Sequence, residues 1–456
     1  MIFNLLLNLV IFIIPSIAVW NQIIFYLFGK NEDYIRILNN VELPKLSVII
    51  PTKGERIDVI QGAIDSLSKA KWDKDKLEII IVSDDDEKYF NELLTALKIP
   101  SNLVVKIYRR EKKVGYKSGA LTYGLEKSTG DLILTLDVDA RIDEDSLIKA
   151  YLQMVSLGCD AITMEWHGYS KNLTSLSKAL MVSTVLTSKS ILKGRDKLGL
   201  KVLPIGCGTI YKRRALEEVN GWDPKMIQDD YEIGVRLLQK GFRICASSSP
   251  VFVEVPDNLV AFYVQQSRWA MGTMEVLIRR IKYIIKSNIK LYQKLEIIMY
   301  LSQYIPIILT FIGAFILSFS RLLGYTAYSV DLSMLLIWAI TLSVYVYIFI
   351  NTARKLGLDP RNSIMALGRL SAYTVAISPY LLISTIKAFN RNRRYIVTPK
   401  GKTIKSNIGY PMLIFGVLFL FSSILYLIQG NLLTFIWLMY YSLPYIYSFI
   451  AFIKGL

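Results

Sequence analysis

Leu132-Ile133-Leu134-Thr135-Leu136-Asp137-Val138-Asp139 is an apolar run that ends in two acids one residue apart. The run is too apolar for a surface excursion and has the length and bounds of a buried strand. An Asp-x-Asp leaving such a strand points two carboxylates into a crevice. They repel each other there unless a cation sits between them and a bound diphosphate, and a hard divalent ion that prefers oxygen ligands, Mg²⁺ or Mn²⁺, suits that place.

Similar short runs precede it. Residues 46–50 and 77–82 are rich in β-branched side chains, and between them Ile60, Ala63, Ile64 and Leu67 recur at helical spacing. A third run covers 103–108, and 132–136 is the fourth. Alternation of strand and helix predicts an α/β domain with a parallel sheet covered on both faces. Ligands of such sheets bind beyond the carboxyl ends of the strands, which singles out Thr52-Lys53-Gly54-Glu55, Asp84-Asp85-Asp86, Asp137 and Asp139. A second acidic pair, Asp229-Asp230, follows Gln228 and opens a helix whose apolar positions Ile233, Val235, Leu237 and Leu238 predict burial. Acids at a helix start also serve as caps.

Outside this region the chain changes character. Of all residues 53% are apolar, and they concentrate at the two ends. Residues 2–28 lack charge and exceed the roughly 20 residues that span a bilayer. No basic segment precedes them and the apolar run continues past Ser16-Ile17-Ala18, so they read as a retained anchor rather than a signal peptide. Further spans are expected at 297–319, 335–350, 411–428 and 432–452. Residues 370–388 are less apolar and flanked by basic segments on both sides, which predicts an interfacial or re-entrant helix with both ends in the cytosol. The resulting division is a membrane helix at 1–29, a cytosolic domain at 41–254, interfacial helices at 255–293 and a membrane region at 294–456. The N-terminus is then outside, in a multi-pass protein of the plasma membrane. The net charge of +17 sits largely in runs such as Arg279-Arg280-Ile281-Lys282 and 387–405, which read as contacts to lipid headgroups and not to nucleic acid. The three cysteines lack metal-ligand spacing and read as reduced thiols, and one histidine makes no site alone.

Taken in order, Ser47-Val48-Ile49-Ile50-Pro51-Thr52, Asp84-Asp85, Gly115-Tyr116-Lys117-Ser118-Gly119, Asp137-Val138-Asp139, Gly206-Cys207-Gly208-Thr209, Asp229-Asp230-Tyr231-Glu232 and Gln265-x-x-Arg268-Trp269 resemble the inverting family 2 glycosyltransferases. Within that family the pattern is most similar to the membrane synthases of cellulose, chitin and hyaluronan. Tyr395-Ile396-Val397-Thr398-Pro399-Lys400 resembles the gating loop of cellulose synthases. The resemblance implies a GT-A (Rossmann-like) α/β cytosolic domain joined to an α-helical transmembrane domain. It implies a UDP-sugar donor, contacted by Thr52, Glu55, Asp84, Asp85, Lys117 and Asp137, with Thr398 and Lys400 closing over it. Asp139 would hold the metal. Asp230 matches the general base and Asp229 its support, Arg268 would stabilise the leaving diphosphate, and Gln265 and Trp269 would form the acceptor floor. The expected product is a growing polysaccharide, the alternative being one sugar added to a membrane lipid, as in ceramide glucosyltransferases. An accessory export subunit is left open.

Overall fold

The computed structural model describes residues 2–31, 42–325, 328–390 and 407–454. The predicted strands form β1 (Leu46–Thr52), β2 (Leu77–Ser83), β3 (Val104–Arg109) and β4 (Leu132–Thr135), followed by β5 (Arg141–Ile142), β6 (Ala161–Tyr169), β7 (Thr209–Lys212) and β8 (Ile244–Glu254). They make one sheet in the order β3-β2-β1-β4-β7-β6-β8-β5. Because side chains alternate across a strand, Val48 and Ile50 enter the core beneath Ile60, Ala63 and Ile64, while Ile49 enters the opposite core with Leu121 and Leu125. Both faces are therefore dry, and the strands read as continuous apolar runs.

The expectation of a parallel sheet holds for six of the eight strands, since β6 and β8 run in the same direction as β1 to β4 and only β7 and β5 are reversed. β3, β2, β1 and β4 are parallel, but β7 runs antiparallel to both β4 and β6, and β5 antiparallel to β8.

Among the described residues five helices are long and apolar enough to cross a membrane: Asn4–Gly29, Ile305–Leu322, Leu332–Lys355, Gly409–Ile428 and Leu432–Ile453. Pro360–Ala376 and Ser378–Lys387 form a pair bent by 49°, a sixth candidate if they count as one broken span. Pro379 lies in the first turn of the second helix, and its missing N–H accounts for the break at Ile377. The span expected from residue 297 begins later. Ile297, Tyr300 and Leu301 are buried against the soluble domain's core on a separate helix, Leu291–Leu301, so their apolar character serves that domain and not the bilayer.

Two further expectations are corrected. Arg279 and Arg280 do not reach for headgroups. Arg279 pairs with buried Glu275 at 3.0 Å, and Arg280 pairs with Glu232 at 2.7 Å and with Asp223, which fastens helix Leu259–Lys286 to helix Asp229–Gln239. Cys159 and Cys245 are not thiols but a disulfide, with Cα atoms 6.1 Å apart. Pairing of Ile162 with Cys245 in the parallel β6–β8 ladder brings these sequence-distant residues together. Closing an 86-residue separation removes unfolded-state entropy. Reduction, or Cys159→Ser with Cys245→Ser, is expected to lower stability by about 2–4 kcal/mol, read as a lower midpoint of thermal unfolding in detergent. An unchanged midpoint would show that the sheet alone sets the stability.

Candidate active site

At the carboxyl end of β1, the Thr52 hydroxyl is buried and finds no hydrogen-bond partner among the described residues. Glu55 lies in the following turn, where its carbonyl accepts a hydrogen bond from the Tyr89 hydroxyl. At the end of β2, Asp84 is buried with both carboxylate oxygens on the Arg110 guanidinium, at 2.7 and 2.6 Å. Arg110 also donates to the carbonyls of Val114 and Tyr116 and so fixes the turn that leads to Lys117. Asp85 accepts from the Gly54 N–H at 2.6 Å and from the Ser83 hydroxyl at 2.8 Å. The two acids expected to hold a nucleoside therefore also build the walls of the crevice. Asp86 caps helix Glu87–Ala96 through the Tyr89 N–H.

The centre of the crevice is a charge cluster. Lys117 projects from the second position of helix Tyr116–Lys127, with its ammonium 2.7 Å from Asp137, 3.6 Å from Asp229 and 3.1 Å from the Gly206 carbonyl. Sequence spacing gave no hint that the lysine sits between acids 20 and 112 positions away, roughly, since only the fold brings them together. Asp137 is 40% exposed, whereas Asp139 is buried and its carbonyl accepts from the Tyr169 hydroxyl at 2.5 Å.

Asp229 and Asp230 open their helix as expected, and both are buried. Burial raises the Asp229 pKa, and nearby Lys117 and Arg268 moderate the rise. Burial, and then the Asp229 charge, push Asp230 up to about 7. Gly206 packs against Asp230: a Cβ there would lie 2.9 Å from the carboxylate, and the backbone φ of +89° independently favours glycine. Arg268 and Trp269 are partly buried on helix Leu259–Lys286, as is Gln265. The neighbouring Gln266 accepts from the Tyr304 hydroxyl at 2.9 Å, which ties this helix to the turn where the chain enters its second apolar span. Thr398 and Lys400 lie outside the described residues.

The sequence profile of Glycosyl transferase family 2 matches residues 47–219, the stretch that carries β1 through β7. A probable glycosyltransferase of Sulfolobus acidocaldarius is 47% identical over 460 residues, covering 99% of each chain. This chain belongs to glycosyl transferase family 2. The poly-β-1,6-N-acetyl-D-glucosamine synthase of Staphylococcus aureus is 26% identical over 56% of this chain and 60% of its own length. Among solved structures, the mannosyltransferase PcManGT of Pyrobaculum calidifontis, described in complex with GDP-Man and Mn²⁺, superposes with a TM-score of 0.56 at 16% identity, covering 83% of this chain and 99% of its own. The kinship is with bacterial and archaeal glycosyltransferases broadly, not with the cellulose, chitin or hyaluronan synthases in particular. The protein is a membrane-associated glycosyltransferase of GT-A-like fold that takes its sugar from a nucleotide-activated donor.

Two residues of this glycosyltransferase escaped the sequence reading. Buried Cys207 receives the Asp137 N–H on its sulfur at 3.3 Å, and its carbonyl accepts the Trp166 indole N–H at 2.9 Å. Burial holds the thiol well above its ordinary pKa, so it acts as packing and acceptor and not as a nucleophile. The glycines on either side of it were the available signal, because both Gly206 and Gly208 have positive φ. Trp166 gave no signal in sequence. It sits just past an irregularity of the β6–β8 ladder between Thr163 and Glu165, the kind of defect that re-aims side chains beside active sites.

Proposed function

We propose that the protein is an inverting glycosyltransferase in which Asp230 is the general base. The observation that carries this reading is a buried carboxyl at the helix start, beside Lys117 and the Gly206 turn, which burial and the Asp229 charge push up to about 7, the range to which general bases are tuned. The acceptor hydroxyl gives its proton to Asp230 as its oxygen bonds to the anomeric carbon. The bond from that carbon to the donor's diphosphate breaks on the opposite side, and its electron pair leaves with the diphosphate. Lys117 and Arg268 offset the negative charge that gathers there. Thr52, Glu55 and Asp85 line the nucleoside end, with a UDP-sugar as the expected donor. Asp84 acts through Arg110 to hold the turn before Lys117.

The donor set also fits a divalent ion. Among the described residues no three histidine, cysteine or acidic groups converge on one point. A cation here would draw its remaining ligands from the diphosphate and water, as Mg²⁺ commonly does. Asp139, with Asp137 beside it, would hold it, and when bound it neutralises charge on the leaving diphosphate. Asp139→Ala is expected to abolish metal-stimulated turnover of UDP- and GDP-sugars tested as a panel on purified protein. Full activity of that variant in the presence of chelator sinks the metal role.

For the acceptor, packing of the membrane helices favours a single addition at the membrane surface over export of a polymer. Phe12, Phe311, Phe419, Trp437, Tyr441 and Tyr445 are buried between the first, second, fourth and fifth apolar helices, with neighbouring rings such as Phe419 and Tyr445 only 5.3 Å apart. Such close packing of rings supports a reading in which the acceptor stays at the membrane surface. The similarity to a polymer synthase is what supports the polysaccharide reading. Radiolabelled donor supplied to membranes distinguishes them, since a lipid-extractable product and a high-mass polymer separate cleanly. In this reading the catalytic domain faces the cytosol and the N-terminus lies outside, which the basic segments on both sides of residues 370–388 support.

A further inference from the structure

Trp166 and Trp269 come from different parts of the fold, one from β6 and the other from helix Leu259–Lys286, and neither is fully buried. Their ring centroids are 6.3 Å apart and their planes are inclined by 45°. Rings so close and so oblique cannot clamp one sugar between parallel faces. The parts of the two rings left exposed form two facets that meet at an angle. The orientation of Trp166 is held: its indole N–H donates to the Cys207 carbonyl at 2.9 Å and its backbone N–H donates to the Ser188 hydroxyl at 3.0 Å. Cys207 is next to Gly206, and Gly206 packs directly on the Asp230 carboxylate. The two facets therefore adjoin the wall of the base.

An indole face suits the apolar C–H face of a pyranose ring. We propose that Trp166 forms a second acceptor subsite beside Trp269, so that the preferred acceptor is a glycan end of at least two sugars and not a bare lipid alcohol or a single sugar. This rests on the reading of Trp269 as acceptor floor. A facet at Trp269 receives the sugar whose hydroxyl faces Asp230, and the facet at Trp166 receives the next sugar. It adds a substrate class to the site, because an enzyme built this way acts on an acceptor already extended by earlier glycosyl transfers.

The test compares octyl monosaccharides with matched octyl disaccharides as soluble acceptors, reading transfer from the radiolabelled donor. In the wild type, kcat/KM for the better disaccharide is expected to exceed that for its monosaccharide by about tenfold, the scale of one well-packed aromatic contact. Trp166→Ala is expected to bring that ratio close to one, and Trp166→Phe, which keeps a ring in the packing but loses the indole N–H, to leave an intermediate ratio. A purely structural role for Trp166 lowers both values in proportion and leaves the ratio unchanged, which overturns the proposal. So does a wild type with no preference for the disaccharide. Trp269→Ala separates the two levels of inference: it is expected to weaken use of both acceptors. If it changes neither, or if no octyl glycoside accepts sugar in the wild type, the underlying acceptor reading falls as well.

Discussion

Asp230→Asn is expected to reduce sugar transfer by about 10²-fold or more while leaving donor affinity close to that of the wild type. The substitution keeps the shape of the side chain and removes only its capacity to take a proton. Titration calorimetry with donor separates this from a structural failure, because loss of binding parallel to loss of turnover would make Asp230 a helix cap and nothing more. The same residue sets a pH dependence with a defined sign. Transfer needs the carboxylate, so the wild-type rate should climb as pH rises through about 7 and then level off. Stability runs the other way. A carboxyl whose pKa is raised from 3.8 in the unfolded chain to about 7 in the folded one favours folding fully below the lower value, and that contribution is lost as pH rises to the upper one. Asn cannot ionise. The variant should therefore match the wild type in heat resistance below pH 3.8, gain on it as pH rises, and exceed it by a constant margin above about 7, by roughly 2–4 °C for each kcal/mol recovered. A difference that does not grow with pH would remove the buried charge from the account.

Local patterns revealed the fold where one physical constraint dominated. The runs at β1, β2 and β4 are apolar at successive positions because both faces of the sheet are covered, and that pattern survives without knowledge of partners. The antiparallel β7 left no such trace, since Thr209–Lys212 is four residues long and its direction is set by the turn before it and by pairing with β4. Charge was misread for a related reason. Arg279 and Arg280 look like any basic run beside a membrane, and only their partners show that Arg279 pairs with Glu275 within its own helix while Arg280 joins that helix to Glu232 and Asp223. Two polar residues near the crevice, Thr122 and Gln228, also acquire reasons in three dimensions. Thr122 donates to the Trp222 carbonyl at 3.0 Å, and Gln228 fills the space beside Gly272, where a Cβ would meet it at 2.7 Å. Composition suggested reduced cysteines, yet the two that pair lie 86 residues apart, beyond what spacing can reveal.

The second large effect is expected at Lys117, the cation that the fold places among three acids. Its ammonium touches Asp137 directly and lies within ion-pair distance of Asp229. It is also among the charges that hold the Asp230 pKa down. Lys117→Met keeps most of the apolar stem and deletes the charge. Two consequences follow from that single loss. The leaving diphosphate loses a charge partner, which for one electrostatic donor in a preorganised site is worth about 10²–10³-fold in kcat. Asp229 and Asp230 lose a favourable neighbour and their pKa values rise further, so the pH at which the rate levels off should move up from about 7. The loss at pH 7 is thus the product of both effects, and raising the pH to 9 should restore only the part due to the base. Lys117→Arg returns a charge without the same point geometry, so it should recover the position of the pH profile better than the maximal rate. A Lys117→Met enzyme with reduced rate and an unshifted profile would confine the lysine to the diphosphate. A shifted profile with an unreduced plateau would confine it to the acid pair, and a near-normal enzyme on both counts would remove it from the site.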